Sequence, residues 1–86
     1  MFFVYAKLDG MYDCSKIIIT DEFSDNLGKE WYNLTFKYEN FKDLLYACFK
    51  RLMNTFDTVE YIECRFEDTF KITKNEIKEM CANKFI

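Results

Sequence analysis

Between Glu39 and Asn54, the side chains of Phe41, Leu44, Leu45, Cys48, Phe49, Leu52 and Met53 recur at three- and four-residue spacing. That spacing gathers them into one broad apolar stripe on an α-helix. Lys42, Asp43, Lys50, Arg51 and Asn54 fall on the opposite side. A helix with so wide an apolar side has to bury it against another layer, and the flanking segments show what that layer is. Trp31 to Tyr38 alternates, with Tyr32, Leu34, Phe36 and Tyr38 on one side and Trp31, Asn33, Thr35 and Lys37 on the other, the signature of a half-buried strand. Phe2 to Leu8 and the β-branched run Lys16 to Thr20 read as two earlier strands separated by a turn at Asp9-Gly10. Thr58 to Phe66 alternates again, with Ile62, Cys64 and Phe66 sharing a face opposite Tyr61, Glu63 and Arg65. Thr73-Lys74-Asn75-Glu76 fits a capping box and opens a short helix carrying Ile77, Met80 and Cys81 inward.

The expected fold is therefore α+β, in the order β-β-β-α-β-α, as a single domain over residues 1–86 without linker or repeat. A small antiparallel sheet, begun as a three-stranded meander, carries the long amphipathic helix on one face, with a short C-terminal helix after the fourth strand. The fourth strand's place in the sheet is left open. Asp21 to Glu30 is expected as an acidic loop with room for one helical turn: Thr20 suits its cap, Phe23 and Leu27 are four apart, and Gly28 suits its end.

Composition removes several classes of function. Half of the 86 residues are apolar, too many for a disordered chain, yet no apolar run approaches the ~20 residues of a membrane span. The net charge of −3 argues against a protein that lives on nucleic-acid phosphates, which require a basic footprint. Histidine is absent, which removes the commonest general base and a frequent zinc ligand. Cys14, Cys48, Cys64 and Cys81 are widely spaced, whereas zinc ligands come in close pairs. The opening Met-Phe-Phe-Val-Tyr-Ala lacks a basic n-region and meets Lys7 too soon for an export signal. The expectation is a cytoplasmic chain with four reduced thiols, of which Cys14 lies exposed on a loop and the other three serve as small core residues.

Catalytic apparatus is sparse. No base stands ready to activate Cys14, Ser15 or Ser24; neither serine sits in a Gly-x-Ser-x-Gly elbow, and no glycine-rich phosphate loop occurs. No catalytic residue, cofactor or metal site is therefore expected. Carboxylates are the one plentiful chemical group, and Asp21, Glu22 and Asp25 could hold a divalent ion. A calcium-loop pattern fails, however: the third position from Asp21 is Phe23, and glycine arrives only at Gly28.

The distribution of charge says more than its sum. Asp9 to Glu30 holds six acids and two bases, and Asp57 to Asp68 five acids and one base. Two acidic segments thus stand against a mildly basic remainder, and such patches attract basic surfaces and speed encounter with them. Aromatics are in surplus (Phe 10, Tyr 6, Trp 1). If the long helix covers the face bearing Leu34, Phe36 and Phe66, the other face carries Phe3 and Tyr5, or Phe2 and Val4 if the register flips, together with Ile18, Trp31 and Tyr61 among Lys37, Glu63 and Arg65, a mixture that recognition surfaces favour. The candidate partner-binding residues are Asp21, Glu22, Phe23, Asp25, Trp31, Glu60, Tyr61 and Glu63. A second copy pairing on that face would make the chain a homodimer.

Half of the chain is Phe, Tyr, Met, Ile, Asn or Lys, residues with AT-rich codons, which points to a low-GC bacterium or a mobile element living in one. With the acidic segments Asp21-Glu22-Phe23-Ser24-Asp25 and Glu60 to Asp68, this profile resembles the small phage-encoded inhibitors of bacterial defence, the anti-CRISPR proteins. The resemblance implies a non-enzymatic inhibitor of a larger basic protein, such as a nucleic-acid-guided nuclease, that binds neither nucleic acid nor membrane directly. Immunity proteins and antitoxins share the profile, and a carboxylate-based metal-binding protein is the remaining alternative.

Overall fold

Strand-forming and helix-forming stretches settle into two layers in the computed structural model, which describes residues 2–8, 13–23, 27–28, 30–34, 38–56 and 58–84. The elements run β1 (Phe3–Leu8), β2 (Cys14–Thr20), β3 (Trp31–Leu34), α1 (Phe41–Cys48), β4 (Tyr61–Arg65), β5 (Thr69–Thr73) and α2 (Lys74–Met80). The π-helical turn Phe49–Met53 prolongs α1, and the 3-10 turn Ala82–Lys84 follows α2. The α+β class holds, while the sheet departs from expectation in three ways. It has five strands, because Thr69–Thr73 forms a strand immediately before the second helix. Its order is β3-β1-β2-β4-β5, so β1 lies between β3 and β2 and there is no sequential meander. It is mixed, since β2 and β4 pair in parallel while the other neighbours are antiparallel. The Asp9-Gly10 turn, and Thr35 to Lys37 of the expected third strand, lie outside the described residues.

The helix forms on its stripe but is shorter than expected: the α-helical part ends at Cys48 and a π-helical turn carries the chain to Met53. Asn40 caps it, its side chain accepting from the backbone N–H groups of Lys42 and Asp43 at 2.9 and 3.2 Å. Leu44, Leu45, Cys48, Phe49, Leu52 and Met53 are all buried. Near its end the ladder widens, with Asn54 N–H donating to Phe49 O at 2.8 Å. The capping box of α2 is complete: Glu76 N–H donates to Thr73 Oγ1 and Thr73 N–H to Glu76 Oε1, each at 3.2 Å. Ile77 and Cys81 turn inward as expected, but Met80 is 39% exposed. Both helices share one core with the sheet residues Val4, Ala6, Ile17, Ile19, Ile62, Cys64 and Ile72, so they cover the same face. Among the described residues no helix is long and apolar enough to cross a membrane.

Cys14 is not the exposed thiol expected. It opens β2, is fully buried and belongs to the helix-side core. Lys7 pairs with Lys16 but Leu8 with Cys14, so Ser15 is an extra residue, a β-bulge. The inward positions become 14, 17 and 19, and the strand starts at Cys14 rather than at the expected Lys16, which takes Cys14 off the loop.

The helix-free face is not bare either. Register places Phe3, Tyr5, Ile18, Trp31, Tyr61, Glu63 and Arg65 there, yet Ile18 is 0% and Tyr5 3% exposed. β2 and β3 are both antiparallel to β1, which separates them, so they run in the same direction. Phe23 packs edge-on against Phe3, with centroids 5.8 Å apart, and Gly28 abuts Trp31. These contacts put Phe23 and Gly28 beside the helix-free face. Gly28 has φ +109° and its carbonyl accepts from Trp31 N–H at 3.4 Å; a side chain at that φ would be strained. Thr20 does not cap a helical turn, because its hydroxyl donates to Glu22 O at 2.6 Å. None of the described residues between 21 and 30 is helical.

Candidate site: an acidic, aromatic end of the sheet

The parallel pairing of β2 and β4 decides where the acidic segments meet. Ile17 lies beside Ile62 and Thr20 beside Arg65, so both strands end on the same edge of the molecule. Asp21, Glu22 and Phe23 leave one strand there, and Phe66, Glu67 and Asp68 leave the other. Between them lies an open cleft of about 480 Å³ lined by Thr20, Asp21, Glu22, Phe23, Leu27, Arg65, Phe66 and Glu67.

Aromatic rings hold this end in shape. Phe66 stands 5.8 Å from Phe2, Phe41 and Phe70, centroid to centroid, and Phe2 stands 5.4 Å from Phe41. Edge-to-face and tilted contacts of this kind add to area burial. Phe23 and Phe70 remain 61% and 42% exposed. Large apolar groups held in water beside carboxylates are the anchors that recognition surfaces use.

Glu63 has a different environment. It is 8% exposed on the helix-free face, with Oε1 3.3 Å from Lys16 Nζ and Oε2 accepting from Arg65 Nε. Burial alone would raise its pKa, but the hydrogen bonds and charges of Arg65 and then Lys16 outweigh it and hold the carboxyl below its ordinary value. At the cleft, Arg65 is therefore held toward Glu63, whose single charge it shares with Lys16.

The expected binding residues therefore fall into separate places. Asp21, Glu22 and Phe23 share the cleft. Asp25 lies outside the described residues. Trp31 and Tyr61 are half-buried on the helix-free face, where Lys71 Nζ stands 4.7 Å above the Tyr61 ring. Glu63 is on that face too, but it is buried and paired rather than part of an open acidic patch. Glu60 is exposed at the start of β4, the end remote from the cleft, where its carbonyl accepts from Lys74 N–H at 3.1 Å. The charge count flagged Glu67 only as part of an acidic segment and missed the roles of Leu27, Phe66 and Phe70. Their neighbourhood depends on a pairing between strands far apart in sequence.

The thiols offer no nucleophile at this end. All four are buried. Burial, reinforced by neighbouring Cys64, pushes Cys48 up to about 12; burial and then Glu63 push Cys64 up to about 11. A thiol so protonated does not attack at neutral pH. Among the described residues no three His, Cys, Asp or Glu side chains converge in a metal-binding arrangement. No protein-family model, curated protein or solved structure matches the chain.

Proposed function

We propose that this protein is a non-enzymatic inhibitor that docks its acidic, aromatic end onto a larger basic protein, a host nuclease or other nucleic-acid-processing defence enzyme. One observation carries the reading: the parallel β2–β4 pair brings Asp21 and Glu22 to the same end as Glu67 and Asp68, around a cleft beside the exposed Phe23. Carboxylates spaced along such a rim present negative charge to a groove built for phosphates, and charge of that kind raises association rates by about 10–10³-fold. The phage-inhibitor profile of the sequence fits the same reading.

The experiment measures inhibition of a nucleic-acid-guided nuclease from a low-GC bacterium, with association followed over a range of salt. Reversing the charges of Asp21, Glu22 and Glu67 is expected to slow association at least about tenfold at low salt and to flatten the salt dependence. Phe23→Ala is expected mainly to speed dissociation. The rival surface is the helix-free face, where Trp31→Ala would be the damaging change. A charge-reversed triple variant that folds and associates at the native rate at low salt refutes the proposal.

A further inference from the structure

We propose that the cleft between the β2–β3 crossover and the β4–β5 turn receives an arginine side chain presented by the partner. This rests on the inhibitor reading above and names the group that its binding end recognises. The walls are unlike in kind. Phe23, Leu27 and Phe66 supply apolar surface, and Asp21, Glu22 and Glu67 supply carboxylates at the rim. Arg65 also lines the cleft and is paired with Glu63, which it shares with Lys16, so the three acids outnumber the one cation of the lining and the field inside stays negative.

That combination selects its occupant. An apolar side chain would cover carboxylates and leave them without partners, a costly exchange for water. A phosphate would meet like charge. A cation on an apolar stem satisfies both walls, because the stem lies along the rings while the head reaches the rim. Guanidinium suits the site better than ammonium: it is planar, weakly hydrated, stacks on ring faces and grips carboxylates two-pronged. Phe66 is positioned for this by its three ring neighbours, and Phe23 by Phe3. The volume of about 480 Å³ lies within the range of small-ligand sites and is ample for one side chain.

The test titrates the intact protein, followed by two-dimensional NMR, with N-acetyl-arginine amide, its lysine counterpart, and N-acetyl-citrulline amide, which keeps the arginine shape without charge. Arginine is expected to shift the amides of Thr20–Phe23 and Arg65–Glu67 and to saturate with Kd on the order of millimolar, as one cation–ring contact and exposed ion pairs allow. Lysine is expected to bind several-fold more weakly and citrulline at least about tenfold more weakly. Phe23 is exposed, so Phe23→Ala is expected to fold and to weaken arginine binding about 2–5-fold; Asp21→Asn with Glu67→Gln is expected to weaken it further. Equal responses to arginine and citrulline, shifts centred outside the cleft, or no saturation overturn the inference. The two proposals fail separately. If arginine does not bind while charge reversal still slows association with the nuclease, the arginine cleft falls and the inhibitor reading stands. If arginine binds but no nuclease is inhibited, the inhibitor reading falls and the cleft stands.

Discussion

Ile18 tests the two-sided character of the sheet. It points away from both helices yet is fully buried, as Ile19 is on the helix side. Ile18 lies between Tyr5 and Glu63 in the sheet, so Ile18→Ala removes about three buried carbons and leaves a cavity, at a cost of about 2–5 kcal/mol. A domain of 86 residues has roughly 4–13 kcal/mol to lose, so the variant would sit near the edge of folding. Ile18→Val, at about 0.5–1.5 kcal/mol, keeps the comparison measurable. Urea unfolding followed by circular dichroism and by Trp31 fluorescence gives both values, and coincident transitions license the two-state treatment. Ile19→Ala and Ile19→Val provide the helix-side standard. The expected result is equal cost on the two faces. If the Ile18 variants lose less than about 1 kcal/mol while the Ile19 variants lose the full amount, the helix-free face is not closed over Ile18 and the two-sided reading of the sheet is wrong.

Leu45→Ala, in the centre of the α1 stripe, is expected to cost about 2–5 kcal/mol, whereas Lys50→Ala on the exposed side is expected to stay within about 0.5 kcal/mol; thermal or urea melts decide. Thiol labelling counted by mass spectrometry is expected to find no fast-reacting cysteine in the native protein and four in urea, and rapid labelling of Cys14 alone would contradict the bulge that buries it. Because the folded pKa of Glu63 is depressed, its contribution is fully present above its ordinary value of 4.5 and is lost as pH falls through the folded value. Stability against pH is therefore expected to drop below about pH 5 in the native protein and to drop less in Glu63→Gln, as a series of urea melts would show.

Local pattern was enough for the apolar stripe of α1 and the Thr73–Glu76 box, because each depends on residues within one or two turns. It placed Trp31 and Tyr61 opposite the first helix, but left open whether Phe3 and Tyr5 or Phe2 and Val4 join them, a choice that the β1–β2 register makes. Cys14 was missed because β2 begins two residues earlier than the β-branched run Lys16–Thr20, across a bulge that the run does not reveal. Period-two reasoning passed over Thr69–Thr73 because this short strand lies between a turn and a capped helix. The parallel β2–β4 pairing left no local trace, since no residue near Ile17 or Ile62 names its partner. For that reason the acidic segments were legible in the sequence, whereas their meeting at one end was not.

The β2–β4 ladder joins residues about 45 positions apart, and this separation sets when the binding end comes into being. β1 and β2 can zip as a hairpin, and α1 can form within its own segment, but the ladder must wait for closure of a long loop, whose entropy is lost before any contact repays it. Ile17 and Ile62 are therefore expected to join after the local elements, with transition-state φ-values lower at Ile62 than in the β1–β2 hairpin. A nascent or truncated chain ending before Tyr61 carries the first acidic segment without Glu67 and Asp68. If this end binds as proposed above, binding requires the completed sheet, and an excised Thr20–Glu30 peptide is expected to bind no better than any acidic peptide.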